Sequence, residues 1–255
     1  MKVLITGASS GIGKDMAKIF ASKGYDLVLV ARDEEKLKEV KNEILEIEKD
    51  KVKIQIISMD LSNEENCKNL HNCVTDVDIL VNNAGFGDCG NFSITDLNKE
   101  LSMIKTNIVA YHILTKLYLM DMKAKNSGKI LNVASIAGFM SGPLMATYYA
   151  TKNYVVRLSE SIREELRKEK SDVQISILCP GPVKTNFNSV ANVKFHMRAA
   201  SSGKVASYAI NKLLKGKFYI VPGLDIKLAR FLVHFIPNSF VSKITYMVQK
   251  RKLEK

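Results

Sequence analysis

KVLITGASSGIG, Lys2 to Gly13, is the stretch on which the fold turns. Lys2–Thr6 is a short apolar run without polar alternation, the pattern of a strand covered on both faces. Gly7, Gly11 and Gly13 follow, with Ser9 and Ser10 among them, and Ile12–Lys23 then takes up a helical period. Glycine turns the chain tightly and lets a ligand approach the backbone. The first turn of a helix offers unpaired N–H groups and a positive dipole end. Gly7, Ser9, Ser10, Gly11, Ile12 and Gly13 are therefore candidates to cradle a pyrophosphate. The spacing departs from G-x-G-x-x-G, so that fingerprint does not apply literally. A glycine-rich turn with no ligand is the plain alternative.

Outward from this unit the alternation repeats. Further strand runs are Asp26–Ala31, Lys53–Ser58, Asp78–Asn82, Lys129–Ala134, Val173–Cys179 and Phe218–Val221. Helical periods occupy Asp33–Glu48, Glu64–Val74, Leu97–Lys123, Thr147–Glu169 and Ala206–Leu214. Strands alternating with helices favour an α/β fold with a parallel sheet and helices on both faces. With no internal repeat or low-complexity linker, residues 1–255 read as a single domain. Residues 183–203, rich in Asn, Ser and small side chains, read as a substrate loop over a site. Residues 224–255 read as a basic, partly apolar C-terminal extension broken by Pro237. Its ordinary role would be packing on the domain or a second subunit, with peripheral membrane contact as the other reading.

The apolar content of 46% and mean hydropathy of −0.03 suit a soluble globular protein with a sizeable core. The longest apolar stretches fall short of the ~20 residues of a membrane-spanning helix. No secretory leader is visible, so a cytoplasmic location is expected. Cys67, Cys73, Cys89 and Cys179 show neither CxxC spacing nor suitably spaced histidines, which predicts free thiols and no metal site. The net charge of +12 is uneven: residues 194–255 carry 13 Lys or Arg against 2 Asp or Glu. That balance is either a solvated surface or an attraction to an acidic partner. Candidates are a phosphorylated cofactor, an acyl carrier protein, a coenzyme A thioester or an anionic membrane. No stacking-aromatic motif or groove-reading helix accompanies it, and nucleic acid is not expected.

The end of the second strand bears on which dinucleotide would bind. Binders of NAD usually place an acidic residue there for the ribose 2′-hydroxyl. Here Arg32 stands in that region, and an arginine suits a 2′-phosphate, so NADP(H) is preferred over NAD(H). The neighbouring Asp33 reads as the cap of the next helix.

Three of the nine tyrosines begin a Tyr-x-x-x-Lys match, at 148, 208 and 246. Only Tyr148 and Lys152 have a serine thirteen residues upstream, Ser135, at the end of a strand run. Reducing a carbonyl needs hydride on carbon and a proton on oxygen. Tyrosine can supply the proton, but its ordinary pKa is ~10. A lysine one helical turn later shares its face, and positive charge favours the tyrosinate. Ser135 can hydrogen-bond the oxygen on which negative charge develops.

Thr6–Gly13, Asp60-Leu61, Asn82-Asn83-Ala84-Gly85, Asn107, Ser135, Tyr148-x-x-x-Lys152 and Pro180-Gly181 with Thr185 stand in one order. In that order the chain resembles the short-chain dehydrogenase/reductase (SDR) family over nearly its whole length. The resemblance implies a Rossmann-like doubly wound sheet of about seven parallel strands and a nicotinamide cofactor. It also implies interconversion of a carbonyl and an alcohol, and a homo-oligomer, dimer or tetramer. By the same resemblance Asp60 and Leu61 meet adenine, and Asn83, Ala84 and Gly85 lie beneath the cofactor. Pro180, Gly181, Val183 and Thr185 meet the nicotinamide side, Lys152 holds its ribose, and Asn107 completes a proton relay. Ala110 and Ala134 depart from the family's usual Gly and Ser without removing a reacting group.

These features predict an NADP(H)-dependent oxidoreductase for a hydrophobic or acyl-type carbonyl substrate. An NAD-linked, steroid-like secondary-alcohol dehydrogenase and a non-catalytic dinucleotide sensor are the rivals. Residues 86–96, 136–147 and 183–203 are expected to shape the pocket, with Phe92, Ile136, Phe139, Met140, Leu144, Met145 and Phe187 as its apolar lining.

Overall fold

The computed structural model describes residues 1–185, 187 and 199–253. Its strands are β1 Lys2–Thr6, β2 Asp26–Ala31, β3 Ile54–Ser58, β4 Ile79–Asn82, β5 Lys129–Val133, β6 Gln174–Leu178, β7 Val183–Lys184, β8 Ala200–Ser201 and β9 Tyr219–Ile220. Seven of them form one parallel sheet in the order β3-β2-β1-β4-β5-β6-β9, the Rossmann-like arrangement expected. The inner strands are largely apolar on both sides because both sides are covered, whereas the edge strand β3 exposes Gln55 and Ser58. On β1, Val3 and Ile5 enter one layer and Leu4 the other. The first layer is closed by α1 Gly11–Ser22, α2 Glu34–Glu48 and α7 Ser202–Leu214, through Phe20, Leu37, Ile44 and Ile210. The second is closed by α3 Glu64–Cys73, α5 Ala110–Ala124 and α6 Ala146–Lys168, through Leu70, Tyr111, Tyr118 and Val156.

The helix expected over Leu97–Lys123 is divided. Helix α4 ends at Ile104, having begun at Leu97, and α5 begins at Ala110, with a π turn Lys105–Val109 between them. There Ala110 N–H bonds to Lys105 C=O, one residue further back than in an α-helix. The C-terminal segment breaks at Pro237 into α8 Leu224–Val233 and α9 Asn238–Leu253. In the segment read as a substrate loop, β7 pairs with β8; positions 186 and 188–198 lie outside the described residues.

Chain order reverses between β1 and its neighbour β4: β2 and β3 lie outward on one side, β5, β6 and β9 on the other. In open α/β sheets such a switch point opens a crevice at the carboxyl ends of the strands.

Candidate active site

A cleft of about 500 Å³ occupies that crevice. Thr6 and Asn83 stitch its floor across the switch point. Thr6 Oγ1 accepts from the backbone N–H of Asn83 (2.9 Å) and of Ala84 (3.1 Å). Asn83 Nδ2 donates to the carbonyls of Thr6 and Gly7, each at 3.0 Å. Gly7, Ser9, Ser10, Gly11 and Ile12 line one end of the cleft. Gly13 does not; it lies behind that wall, where a Cβ would fall 2.3 Å from the Gly7 carbonyl oxygen and 2.5 Å from Asn83 Nδ2. Close packing of α1 on the floor requires a glycine there.

The start of α1 is built to receive an anion. Its N-cap, Ser10, makes no side-chain cap bond, and the first turn carries no acidic residue. Helices α2, α3 and α4 are capped by side chains, Asp33, Asn63 and Asp96; α6 and α7 share the bare start of α1, and α1 differs from them in following the glycine loop of the cleft. The first N–H groups of α1 and its positive dipole end thus face the cleft without a partner side chain, over glycines that leave room for a phosphate. The residues present fit a dinucleotide's pyrophosphate.

Beyond that end lie Arg32, Asp33, Lys36, Asp60 and Leu61. Asp33 caps α2, accepting from Lys36 N–H at 3.1 Å, and its carboxylate also pairs with the Lys36 ammonium. Those hydrogen bonds hold the carboxyl below its ordinary pKa. Asp60 turns inward on its own loop, accepting from Ser62 N–H at 2.9 Å. Lys36, not singled out from the sequence, adds a second cation beside Arg32. Its signal was a lysine one turn into the helix that follows Arg32.

At the other end Ser135, Tyr148 and Lys152 converge on one wall. Ser135 ends the β5 run and caps a 3₁₀ turn, Ile136–Phe139, by accepting from Ala137 N–H at 3.2 Å. Tyr148 and Lys152 lie one turn apart near the start of α6. The Lys152 ammonium donates to the Val133 carbonyl at 3.0 Å and sits 5.9 Å from the centre of the Tyr148 ring. Burial holds the Lys152 ammonium down to about 8. Burial pushes the Tyr148 phenol above its ordinary value, and the Ser135 hydroxyl pulls it partly back. Among the polypeptide's own groups, then, desolvation outweighs the lysine that the sequence suggested would acidify the phenol. Pro180, Gly181, Val183, Ala84 and Gly85 also line the cleft, and Thr185 lines it beside Gly11, where a Cβ would fall 2.9 Å from its Cγ2.

Asn107 is not a wall of the cleft; Thr106, next to it, is. The Asn107 side chain is fully buried and both its amide functions are engaged. Its Oδ1 accepts from Phe86 N–H at 3.1 Å; its Nδ2 donates to the Phe86 carbonyl at 2.8 Å and to Thr151 Oγ1 at 3.1 Å. Thr151 in turn donates to the Tyr148 carbonyl at 2.7 Å. The π turn thereby clamps the loop after β4 to the turn of α6 that carries Tyr148. Both amide hydrogens are thus engaged, and Oδ1 keeps one lone pair beyond the bond from Phe86 N–H.

Sequence reasoning missed Tyr111, whose hydroxyl donates to the same Val133 carbonyl at 3.1 Å and whose ring lies 5.3 Å from the Lys152 ammonium. Four residues after Asn107, it shares that residue's helical face, which was the available clue. Tyr149 also lines the cleft, and burial raises its hydroxyl to about 12. Its hydroxyl accepts from Gln249 Nε2 of α9 at 2.5 Å. Of the expected apolar lining, Ile136, Met145 and Phe187 are walls. Met140 and Leu144 are not walls and pack on the cluster of Cys89, Ala137, Met145 and Tyr149. Phe92 is exposed and Phe139 packs against Arg230 and Tyr219 instead. Cys67, Cys73 and Cys179 are free thiols, and no cluster of metal-ligand side chains occurs among the described residues.

A family model described as short chain dehydrogenase matches residues 1–194. Dehydrogenase/reductase SDR family member 7B of Xenopus laevis is 29% identical over 267 residues, spanning 98% of this chain and 82% of that protein. The 3-oxoacyl-[acyl-carrier-protein] reductase FabG of Rickettsia prowazekii (strain Madrid E) is 30% identical over 208 residues, spanning 81% of this chain and 83% of that protein. A solved short-chain dehydrogenase from Sphingobium yanoikuyae in complex with NADPH is similar with a TM-score of 0.81 at 26% identity, covering 92% of this chain and 96% of that one. Another, from Burkholderia phymatum in complex with NAD, has a TM-score of 0.83 at 25% identity and covers 92% of each chain. Sequence order, sheet topology and these likenesses agree: the chain belongs to the short-chain dehydrogenase/reductase family, and is an oxidoreductase of it.

Proposed function

We propose that the protein reduces a hydrophobic, acyl-type ketone with NADPH. Tyr148 is the proton donor, Ser135 hydrogen-bonds the carbonyl oxygen, and Lys152 holds the ribose and stabilises the tyrosinate left behind. The observation that carries this reading is the convergence of Ser135, Tyr148 and Lys152 on one cleft wall whose far end is an uncapped helix N-terminus. When bound, the nicotinamide supplies the hydride. The polypeptide's part is the proton: a phenol raised by burial stays protonated at neutral pH, which suits donation to a carbonyl oxygen. As the proton leaves, the Lys152 ammonium, still charged below about 8, faces the new phenolate across the shared helical turn.

Gly7, Ser9–Ile12 and the start of α1 would hold the pyrophosphate, Asp60 and Leu61 the adenine side, and Asn83–Gly85 with Pro180, Gly181, Val183 and Thr185 the nicotinamide side. The 2′-phosphate preference rests on Arg32 with Lys36 beside it, and on an Asp33 carboxylate already spent on α2 and Lys36. The NAD reading draws on the same Asp33, and on the likeness to the NAD-bound Burkholderia enzyme. An acyl substrate is supported by the apolar walls Ile136, Met145 and Phe187, by the likeness to a 3-oxoacyl reductase, and by a basic C-terminal quarter suited to an acidic thioester carrier. A cytosolic homo-oligomer acting as one compact unit completes the reading.

The test is a screen of hydrophobic ketones and 3-oxoacyl thioesters that follows NADPH absorbance, with Tyr148→Phe alongside. The expected outcome is turnover lost by at least about 10²-fold in the variant while dinucleotide affinity is kept. Retained turnover would remove Tyr148 from the chemistry.

A further inference from the structure

The apolar outer face of the C-terminal helices has no counterpart in the carbonyl reading. Along α8, Leu224, Leu228, Phe231 and Leu232 recur at i, i+4, i+7 and i+8, and Phe235 follows just beyond its end. On an ordinary surface helix such a stripe faces the core. Here it faces outward: α8 buries no residue, and Leu224, Phe231 and Phe235 are 81%, 61% and 71% exposed. Helix α9 divides its faces cleanly. Val241, Thr245 and Gln249 are buried, with Thr245 Oγ1 donating to the Ser141 carbonyl at 3.0 Å. Phe240, Ile244 and Met247, again at i, i+4 and i+7, are 61%, 43% and 55% exposed. The sequence expectation of packing on the domain therefore holds for one face of each helix, Ile226 and Arg230 on α8 and Val241, Thr245 and Gln249 on α9, and leaves the opposite faces bare.

Two occupants could cover this apolar surface, and charge separates them. Residues 224–253 carry six Lys or Arg and one acidic residue, Asp225. The Arg230 guanidinium is turned inward, 3.6 Å from the centre of the Tyr219 ring, whereas Lys243, Lys250 and Arg251 are exposed. A second copy would bring the same cations against themselves, which opposes association. An anionic surface meets them with opposite charge. No helix among the described residues is long and apolar enough to cross a membrane. Exposed apolar stripes with basic flanks on helices too short to span are the features of an element that lies in the plane of a bilayer surface.

We propose that α8 and α9 are a docking face for an anionic lipid bilayer, the aromatic and aliphatic stripes entering the interface and the exposed Lys and Arg meeting the headgroups. Because the inner face of α9 rests on Ser141 and Tyr149, the docked helix is also a structural neighbour of the cleft wall.

The full chain is sedimented with phosphatidylcholine vesicles and with vesicles of phosphatidylcholine and phosphatidylserine. Binding is expected only to the phosphatidylserine vesicles, and it should fall with added salt. Leu228→Ser/Phe231→Ser/Phe235→Ser, all at exposed positions, should weaken it by at least about tenfold, and Lys243→Gln or Lys250→Gln by about fivefold each. Circular dichroism and dinucleotide binding should be unchanged in these variants, so the result does not depend on which substrate is reduced. Absence of binding by the unaltered chain, or undiminished binding by the triple variant, would overturn the proposal. So would a concentration-dependent dimer that the triple variant splits into monomers, because the face would then belong to a second copy.

Discussion

Lys152 shows how a reacting group can oppose the stability of the fold that carries it. Its ammonium is 5% exposed, and burial lowers it to about 8 from the ordinary 10.5. Below pH 8 both folded and unfolded chains hold the proton, and the folded one bears the full desolvation penalty. Between about 8 and 10.5 the unfolded chain binds more protons, so stability rises with pH across that window. Lys152→Met should therefore stabilise the protein near neutral pH by roughly 1–3 kcal/mol while abolishing turnover. The gain should shrink as pH climbs from 8 towards 10.5. Urea unfolding at either end of the window checks this, and an equal gain at both ends would mean that burial of the charge is not its source. Arg32 makes the opposite kind of contribution, exposed and of little consequence for folding. Arg32→Asp should weaken NADPH by at least about tenfold and NADH by no more than about threefold, read by fluorescence titration. Equal losses would detach Arg32 from the 2′-phosphate.

At the level of elements, what was legible in the sequence follows from the range of the forces involved. Most of the seven sheet strands were readable because a strand covered on both sides is a nearly continuous apolar run, and Val3–Ile5, Leu27–Val30 and Ile79–Val81 are such runs. Asp33 as a cap was readable because the bond to Lys36 N–H is local. The π turn at Lys105–Val109 was not. Its extra residue slips the register of the helix without interrupting apolar periodicity, so Leu97–Lys123 reads as one helix from composition alone. What pins it is the contact of Asn107 with Phe86 and Thr151, 21 and 44 residues away, which no local pattern encodes. Ser135, Tyr148 and Lys152 were legible because their spacing places them on a strand end and one helical face. Tyr111 and the outward stripe of α8 were not. Periodicity tells that a helix has an apolar face but not whether anything covers it.

Across the whole molecule, one contact spanning a hundred residues ties the tail to the side chain next to Tyr148. Gln249 donates to the Tyr149 hydroxyl, and the Tyr149 ring is pressed onto Gly142, where a Cβ would fall 2.3 Å from it. Gln249 is buried and its Oε1 has no partner, a cost the fold tolerates for the sake of that donor. Gln249→Leu loses one hydrogen bond and removes one orphaned acceptor, so stability should change by less than about 1 kcal/mol. Its effect should fall on the substrate instead. Freed from α9, the Tyr149 ring can shift within the cleft beside Tyr148, 6.1 Å away between ring centres. KM for a bulky hydrophobic ketone is then expected to change by at least about threefold, with dinucleotide affinity unaltered because Arg32, α1 and the glycine loop lie at the other end. Steady-state kinetics with a small and a bulky ketone read the difference. If both substrates respond alike, or neither does, the tail is an independent appendage, and the size of the substrate is decided by the sheet side of the cleft alone.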